Sequence, residues 1–395
     1  MRTADLLGAT RLALDATAGL TAVVESMHGT IARGPLLSTP AAELRTSGLT
    51  GFVYRCVRGT TLALGGAIDL ALGAAGTAGV APSSARREAL VAALNGVVGD
   101  HLAATGNPLA IPMRLRRRGR PLELSPRALA AAFRRPRRKV LVLVHGACRG
   151  DLQWRRLGHD HGAALSRALG YDALYLNYNT GLHVSENGRE LAALLERLVE
   201  AWPVELAELA IFAHSMGGLV ARSACHAAAA SGHRWLHRLR RLAFLGTPHH
   251  GAPLERGGAW IDVALGVSRY SAPIGRLGRL RSAGVTDLRF GSVLEEDWRD
   301  RERFGDVRDR RRLVPLPVGV RCYAIAAARV SGRGALGRLL GDGLVTVDSA
   351  LGRHADPALA LGIPDDRQWV AQGADHFALL SRRDVYARLR TWFAE

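Results

Sequence analysis

Ser215 is the residue around which chemistry can be built. It follows the apolar run Leu209-Ala210-Ile211-Phe212-Ala213 and precedes Met216-Gly217-Gly218-Leu219-Val220 and an Ala-rich stretch. The apolar run reads as a buried strand, and the Ala-rich stretch as a helix. A serine at the apex of a sharp strand-to-helix turn needs small residues two positions before and after it, because the turn is strained. Gly217 meets that need on one side. Ala213 stands where glycine is usual on the other, and a lone methyl group fits. Gly218 lets the helix pack close to its strand. Such a turn lifts the Ser215 hydroxyl out of the sheet. It also puts the Met216 N–H at a helix N-terminus, where a developing oxyanion is stabilised. The alternative is an ordinary turn carrying a solvated serine. Small-x-Ser-x-Gly alone is a weak signal, but an apolar run, His before Ser, Gly-Gly after it and a following helix favour the nucleophile.

A serine hydroxyl is a poor nucleophile at neutral pH. It needs a base to take its proton and a third group to orient that base. The elements that could supply them alternate along the chain. A hairpin is expected within Arg114–Leu124. Val140–Val144 reads as a central parallel strand covered on both faces. Ala163–Leu169 reads as a helix stopped by Gly170, and Ala173–Tyr178 as a strand. Leu191, Leu194, Leu195 and Leu198 mark one face of an amphipathic helix. Strands are expected at Leu239–Leu245, Val320–Ala327 and Gln368–Ala371, with a closing helix over Asp384–Phe393. Strand and helix in alternation from about residue 113 argue an α/β fold with a mostly parallel sheet.

The elbow around Ser215 resembles that of the α/β-hydrolase superfamily, especially bacterial lipases and esterases. His145-Gly146-Ala147 after Val144 looks like that superfamily's oxyanion loop, with the Ala147 N–H as second donor beside Met216. The Gly246-Thr247-Pro248-His249-His250-Gly251 run and Asp342-Gly343-Leu344-Val345 look like loops of lipases and GPI-inositol-deacylase-like hydrolases. The superfamily's order of nucleophile, acid and histidine is met by Ser215, Asp342 and His376. The resemblance implies that His376 acts as base and Asp342 as its orienter. Asp348 is the rival acid, with Asp356 behind it. Asp375 adjoins His376 and is a poor orienter, because neighbouring side chains diverge. Ala147-Cys148-Arg149 is more polar than most lipase oxyanion loops, which argues against a long-chain preference. The resemblance implies an α/β-hydrolase domain over 111–395 with a lid inserted at about 252–315. Trp260, Ile261, Val263, Leu265 and Trp298 are candidates for its apolar underside.

Residues 1–110 fall outside the resemblance. They read as an Ala/Gly-rich helical segment, with helices at Ala4–His28, Leu49–Leu72 and Ser83–Leu102 and Ser83 as an N-cap. Asp5, Arg11 and Asp15 interrupt any signal-peptide core. Thr61–Val80 is a membrane-span candidate, but Asp69 near its middle and its Ala and Gly content argue against insertion. Net charge is +18, carried by Arg, since Lys139 is the only lysine. No nucleic-acid partner is expected; contact with an anionic membrane or granule surface is compatible with the charge. Cys56, Cys148, Cys225 and Cys322 have no zinc or redox spacing and read as thiols in a cytoplasmic setting. His249 and His250 lack companion ligands, so no metal and no cofactor are expected. The expected activity is carboxylic-ester hydrolysis through an acyl-enzyme. Thioesterase, acyltransferase or polyester depolymerase chemistry could use the same three residues. The non-enzyme alternative is a binding protein on a hydrolase scaffold.

Overall fold

Continuous β-branched and apolar runs with no polar face can be satisfied only by strands covered on both sides. The computed structural model describes residues 4–17, 84–252, 281–300, 309, 311–329 and 341–395. Its contacts divide the chain into two units, Met1–Ser83 with Leu102–Ala110, and Ser84–His101 with Ile111–Glu395. In the first unit, residues 4–17 are helical. There the Asn107 side chain donates to the Gly8 carbonyl (3.0 Å) and accepts from the Leu109 N–H (3.0 Å). The sequence-based helix at Leu49–Leu72 and the apolar stretch Thr61–Val80 lie outside the described residues.

The second unit is built on an eight-stranded sheet. Its strands are β1 (Arg114–Arg117), β2 (Arg120–Pro121), β3 (Lys139–Val144), β4 (Asp172–Asn177), β5 (Glu208–His214), β6 (Leu239–Leu245), β7 (Arg321–Ala328) and β8 (Gln368–Gln372). They lie in the order β2-β1-β4-β3-β5-β6-β7-β8. β1 and β2 form the expected hairpin. Arg118 and Gly119 between them both have positive φ (51° and 75°), the two-residue turn whose twist suits an antiparallel pair. β1 runs antiparallel to β4, and every pairing from β4 through β3, β5, β6 and β7 to β8 is parallel. β3 is flanked by β4 on one side and β5 on the other, so the chain reverses its direction of travel across the sheet there. Ligand sites of open parallel sheets lie at the carboxyl ends beside such a reversal.

Alternate side chains of the central strands feed two cores. Val140, Val142 and Val144 of β3 and Leu209, Ile211 and Ala213 of β5 face one core. Helices α4 (Val184–Ala201) and α5 (Met216–Ser231) cover it, the first through Leu191, Leu194, Leu195 and Leu198. Leu141, Leu143, Ala210 and Phe212 face the other core, under α3 (His161–Leu169) and the C-terminal helix α9 (Arg383–Ala394). Each fully buried Leu, Val, Ile or Phe contributes about 1.5–3 kcal/mol, so these double-sided strands anchor the unit. α4 and α5 approach closely at Gly188, where any Cβ would run into Ser223.

Three shorter helices precede or connect these: α2 (Pro126–Ala132), α6 (Trp235–Arg238) and α7 (Ala283–Asp287). Helix α1 (Ala85–Ala104) is capped by Ser84, whose Oγ accepts the Arg87 N–H at 3.2 Å, one residue beyond the expected Ser83. Through His101 it groups with the sheet rather than with the segment before it. We propose a boundary at residue 110 from the sequence, and the contacts group residues 84–101 with the larger unit. The lid expected at 252–315 falls largely outside the described residues, as do Trp260, Ile261, Val263 and Leu265. Within its span, α7 is tied to α1 by the Ser282 Oγ bond to the Gly96 carbonyl (2.6 Å) and the Ala283 N–H bond to Asp100 (3.0 Å). Trp298 stacks on His183 at 3.7 Å and donates to Ser185. Among the described residues no helix is long and apolar enough to cross a membrane.

His145, His161, His214 and His249 are buried. Burial lowers His145 and His161 to about 4, and His214 and His249 well below their ordinary range. In the unfolded chain each titrates near 6.5. The native state therefore refuses protons that the unfolded chain accepts once the pH drops below about 6.5. Their stabilising contribution is intact above that value and is lost as the pH falls towards about 4. The melting temperature is expected to fall between pH 7.5 and pH 5, and a flat or rising profile over that range would contradict the burial of neutral imidazoles.

Candidate active site

Ser215 sits between β5 and α5 with φ 55° and ψ −129°, a conformation that a residue with a side chain adopts only when its surroundings impose it. Its N–H donates to the Leu245 carbonyl of β6 (2.8 Å), and its carbonyl accepts the Gly218 N–H (3.0 Å). The two glycines after it are required sterically. A Cβ on Gly217 would lie 2.5 Å from the Val144 carbonyl oxygen, and one on Gly218 would overlap Thr247. Ala213 is fully buried within β5, its methyl group in the core on the α4–α5 side. Met216 opens α5, so its N–H belongs to the first turn, whose amides have no intrahelical acceptor.

Asp342 and His376 meet although 33 residues separate them in the chain. Asp342 Oδ2 lies 2.6 Å from His376 Nδ1, and both side chains are buried. The other carboxylate oxygen accepts the Leu344 and Val345 N–H groups at 2.9 and 2.8 Å, which fixes the acid within its own loop. His376 follows β8, and its carbonyl lies 3.2 Å from His214 Nε2. Gly246, with φ 56°, lies against the imidazole: a Cβ there would stand 3.0 Å from His376 Cε1. Asp348 is exposed in the short helix α8 (Val347–Ala350), and Asp356 is exposed and caps the next turn. Neither bonds His376. Asp375 turns away to accept the Phe377 and Ala378 N–H groups (2.9 and 2.7 Å).

Ser215 and His376 line one cleft together with Gly146, Ala147, Arg149 and Phe377. The loop after β3 is thus brought to Ser215. A Cβ on Gly146 would lie 2.8 Å from Ser215 Cβ. Cys148 holds φ 58°, and its N–H donates to Thr180 Oγ1 (3.1 Å). His145 stacks on Tyr178 (4.4 Å), whose hydroxyl donates to the His145 carbonyl (2.8 Å). α1 presses on the same loop from outside. A Cβ on Gly96 would come within 2.7 Å of Cys148 Cα, and one on Gly99 would overlap Asn179. Sequence reading gave α1 no part in the site. Its small residues at a spacing of three, Gly96 and Gly99, were the available signal of a close approach.

His249 and His250 do not form a ligand pair. His249 Nδ1 lies 3.5 Å from Arg222, and His250 Nδ1 lies 2.9 Å from Arg311. Among the described residues no group of three His, Cys, Asp or Glu side chains is arranged to hold a metal ion. Cys148, Cys225 and Cys322 are free thiols, and burial raises each to about 12 or above, so they are protonated and unreactive at neutral pH.

A domain family described as a domain of unknown function, DUF7379, matches residues 116–282, less than half of the chain. No curated protein matches the sequence. Among solved structures, a lipase of Bacillus licheniformis in its mature form is 19% identical, with 64% of this chain and 91% of that one aligned at a TM-score of 0.42. A metagenomic carboxyl esterase is 16% identical over 80% of this chain and 95% of its own, at a TM-score of 0.37. A thioesterase domain, NocB, solved as a covalent complex with a fluorophosphonate, is 17% identical over 64% and 93%, at a TM-score of 0.36. At these identities and TM-scores nothing is carried over from these proteins to this chain. The mixed, mostly parallel eight-stranded sheet, opened by an antiparallel hairpin and flanked by helices on both faces, is the α/β-hydrolase fold.

Proposed function

We propose that the protein is a serine hydrolase that cleaves carboxylic esters through an acyl-enzyme on Ser215. The observation that carries this reading is the 2.6 Å contact between Asp342 and His376, buried beside the cleft that His376 shares with Ser215. In the proposed reaction His376 takes the Ser215 proton as the hydroxyl oxygen attacks the ester carbonyl. The negative charge that develops on the carbonyl oxygen is met by the Ala147 and Met216 N–H groups. His376 then delivers the proton to the departing alcohol, leaving an acylated Ser215 that water cleaves by the reverse steps. Asp342 keeps Nδ1 of His376 protonated and Nε2 free to act as base. A thioesterase, acyltransferase or polyester depolymerase would differ only in leaving group or acceptor. A non-catalytic binding role gains nothing from a strained serine and a buried acid–imidazole pair. The reading requires no metal or cofactor. A cytoplasmic setting is proposed on the cysteine spacing, and contact of residues 1–110 with an anionic membrane or granule surface on charge alone.

Three measurements test this reading. Ser215→Ala should abolish labelling by a fluorophosphonate probe and reduce ester turnover by several orders of magnitude; turnover near that of the unaltered protein would remove Ser215 from the mechanism. Asp342→Asn should lower kcat by on the order of 10⁴-fold, because Asn stabilises the wrong imidazole tautomer. Asp348→Asn should leave turnover intact, and the opposite pattern would reassign the acid. The third concerns α1. Gly96→Val should push the Cys148 loop outward and lower kcat by roughly 10²-fold, the scale of an ångström of misplacement. Melting curves run alongside separate this from unfolding, and an unchanged kcat would show that α1 does not hold the loop.

A further inference from the structure

The cleft that Ser215 and His376 share is lined by a cation with no counter-charge among the described residues. Arg149 stacks its guanidinium on Phe377 at 4.0 Å from the ring centroid. Among the described residues it pairs with no carboxylate and donates no hydrogen bond. Its Nε is buried without a partner, and the residue lines the cleft beside Ser215 and His376. Arg156 approaches the same ring at 6.0 Å, and its Nε is likewise buried and unpartnered. Among the described residues, the acids of the flanking loops are committed elsewhere. Asp342 is held by His376 and two amides, Asp375 by the Phe377 and Ala378 amides, and Asp151 by Arg116 (2.9 Å). Burial, with Arg156 adding to it, lowers Arg149 only to about 10, so it stays charged at neutral pH.

A half-buried guanidinium without a partner is unfavourable in the empty protein. Stacking on an aromatic ring offsets only part of that cost. The remainder is recovered when an anion enters, and the planar fork of Arg matches a carboxylate or phosphate through two parallel hydrogen bonds. Resting on the hydrolase reading above, we propose that Arg149 is a specificity residue that binds an anionic group, carboxylate or phosphate, on the ester substrate close to its scissile bond, with Arg156 reinforcing the field. Phe377 is the platform that holds the guanidinium flat. Its place directly after His376 ties the position of the charge to that of the base.

The test uses the full-length protein and two matched ester pairs. 4-Nitrophenyl hexanoate against mono-4-nitrophenyl adipate places the carboxylate on the acyl side. Phenyl acetate against 3-acetoxybenzoate places it on the alcohol side. In at least one pair the charged ester should show the higher kcat/KM, by about 10- to 100-fold at low salt, the scale of a charged hydrogen-bonded contact. The preference should shrink as salt rises. Arg149→Met should bring that ratio to one or below, mainly through KM, and Arg149→Lys should keep part of it, each verified as folded by fluorophosphonate labelling of Ser215. Equal treatment of both esters in both pairs, with Ser215 labelled and the neutral esters turned over, overturns the assignment of Arg149 while leaving the hydrolase reading intact. So does an Arg149→Met variant that lowers kcat equally for charged and neutral esters, since that marks Arg149 as a support of the oxyanion loop. Absence of labelling and of all turnover overturns the hydrolase reading and this inference with it.

Discussion

A positive φ at a serine is the constraint on which the site depends. Left to itself that backbone would relax, so two strands and the loop after β6 hold it in place. β6 accepts the Ser215 N–H through Leu245, the end of β3 leaves room for Gly217 and no more, and Thr247 leaves room for Gly218 alone. The core on both sheet faces supplies the rigidity that keeps these contacts in register. Strain of this kind costs about 1–3 kcal/mol per residue and persists only where the surroundings over-determine it. Cys148 repeats the pattern on the facing loop, with positive φ, an anchored N–H and a helix glycine against it. The two strained residues belong to loops that meet at one cleft.

The charge balance around that cleft is set by burial. His145 and His214, which line a recess with Gly146 and Arg149 but lie outside the acid–imidazole pair, are held neutral by desolvation. They therefore add shape and hydrogen bonds rather than charge. The cations are Arg149 and Arg156, stacked about Phe377 and lacking any acidic partner among the described residues. A net charge of +18 spread over a surface would be screened within about 10 Å at ordinary salt. A guanidinium lining a recess is screened far less, so the local arrangement matters more for a substrate than the total.

α1 joins the scaffold to the site. It precedes the sheet in the chain, yet its glycines let it lie flat against Cys148 and Asn179, and α7 is fastened to it through Ser282 and Ala283. A helix without a titrating group in the cleft can still set its geometry, because the loop it presses on carries the Ala147 amide.

The sequence by itself determined the elements that depend on local pattern. The buried runs at β3, β5 and β6, the leucine face of α4, the Gly170 stop and the strand–turn–helix at Ser215 follow from periodicity and turn chemistry, which act between near neighbours. It also narrowed the acid to a few aspartates, in the order implied by the resemblance. Tertiary structure decided which of them meets His376. The Asp342 loop folds its carboxylate onto its own amides and then onto the imidazole, whereas Asp348 lies in the first turn of a short helix with its side chain exposed. It likewise decided that α1 belongs against the loop after β3 and that Arg149 stands without a counter-charge among the described residues. Those facts depend on contacts between segments far apart in the chain, such as Gly96 against Cys148 and Arg149 against Phe377, where local propensity carries no information about the partner.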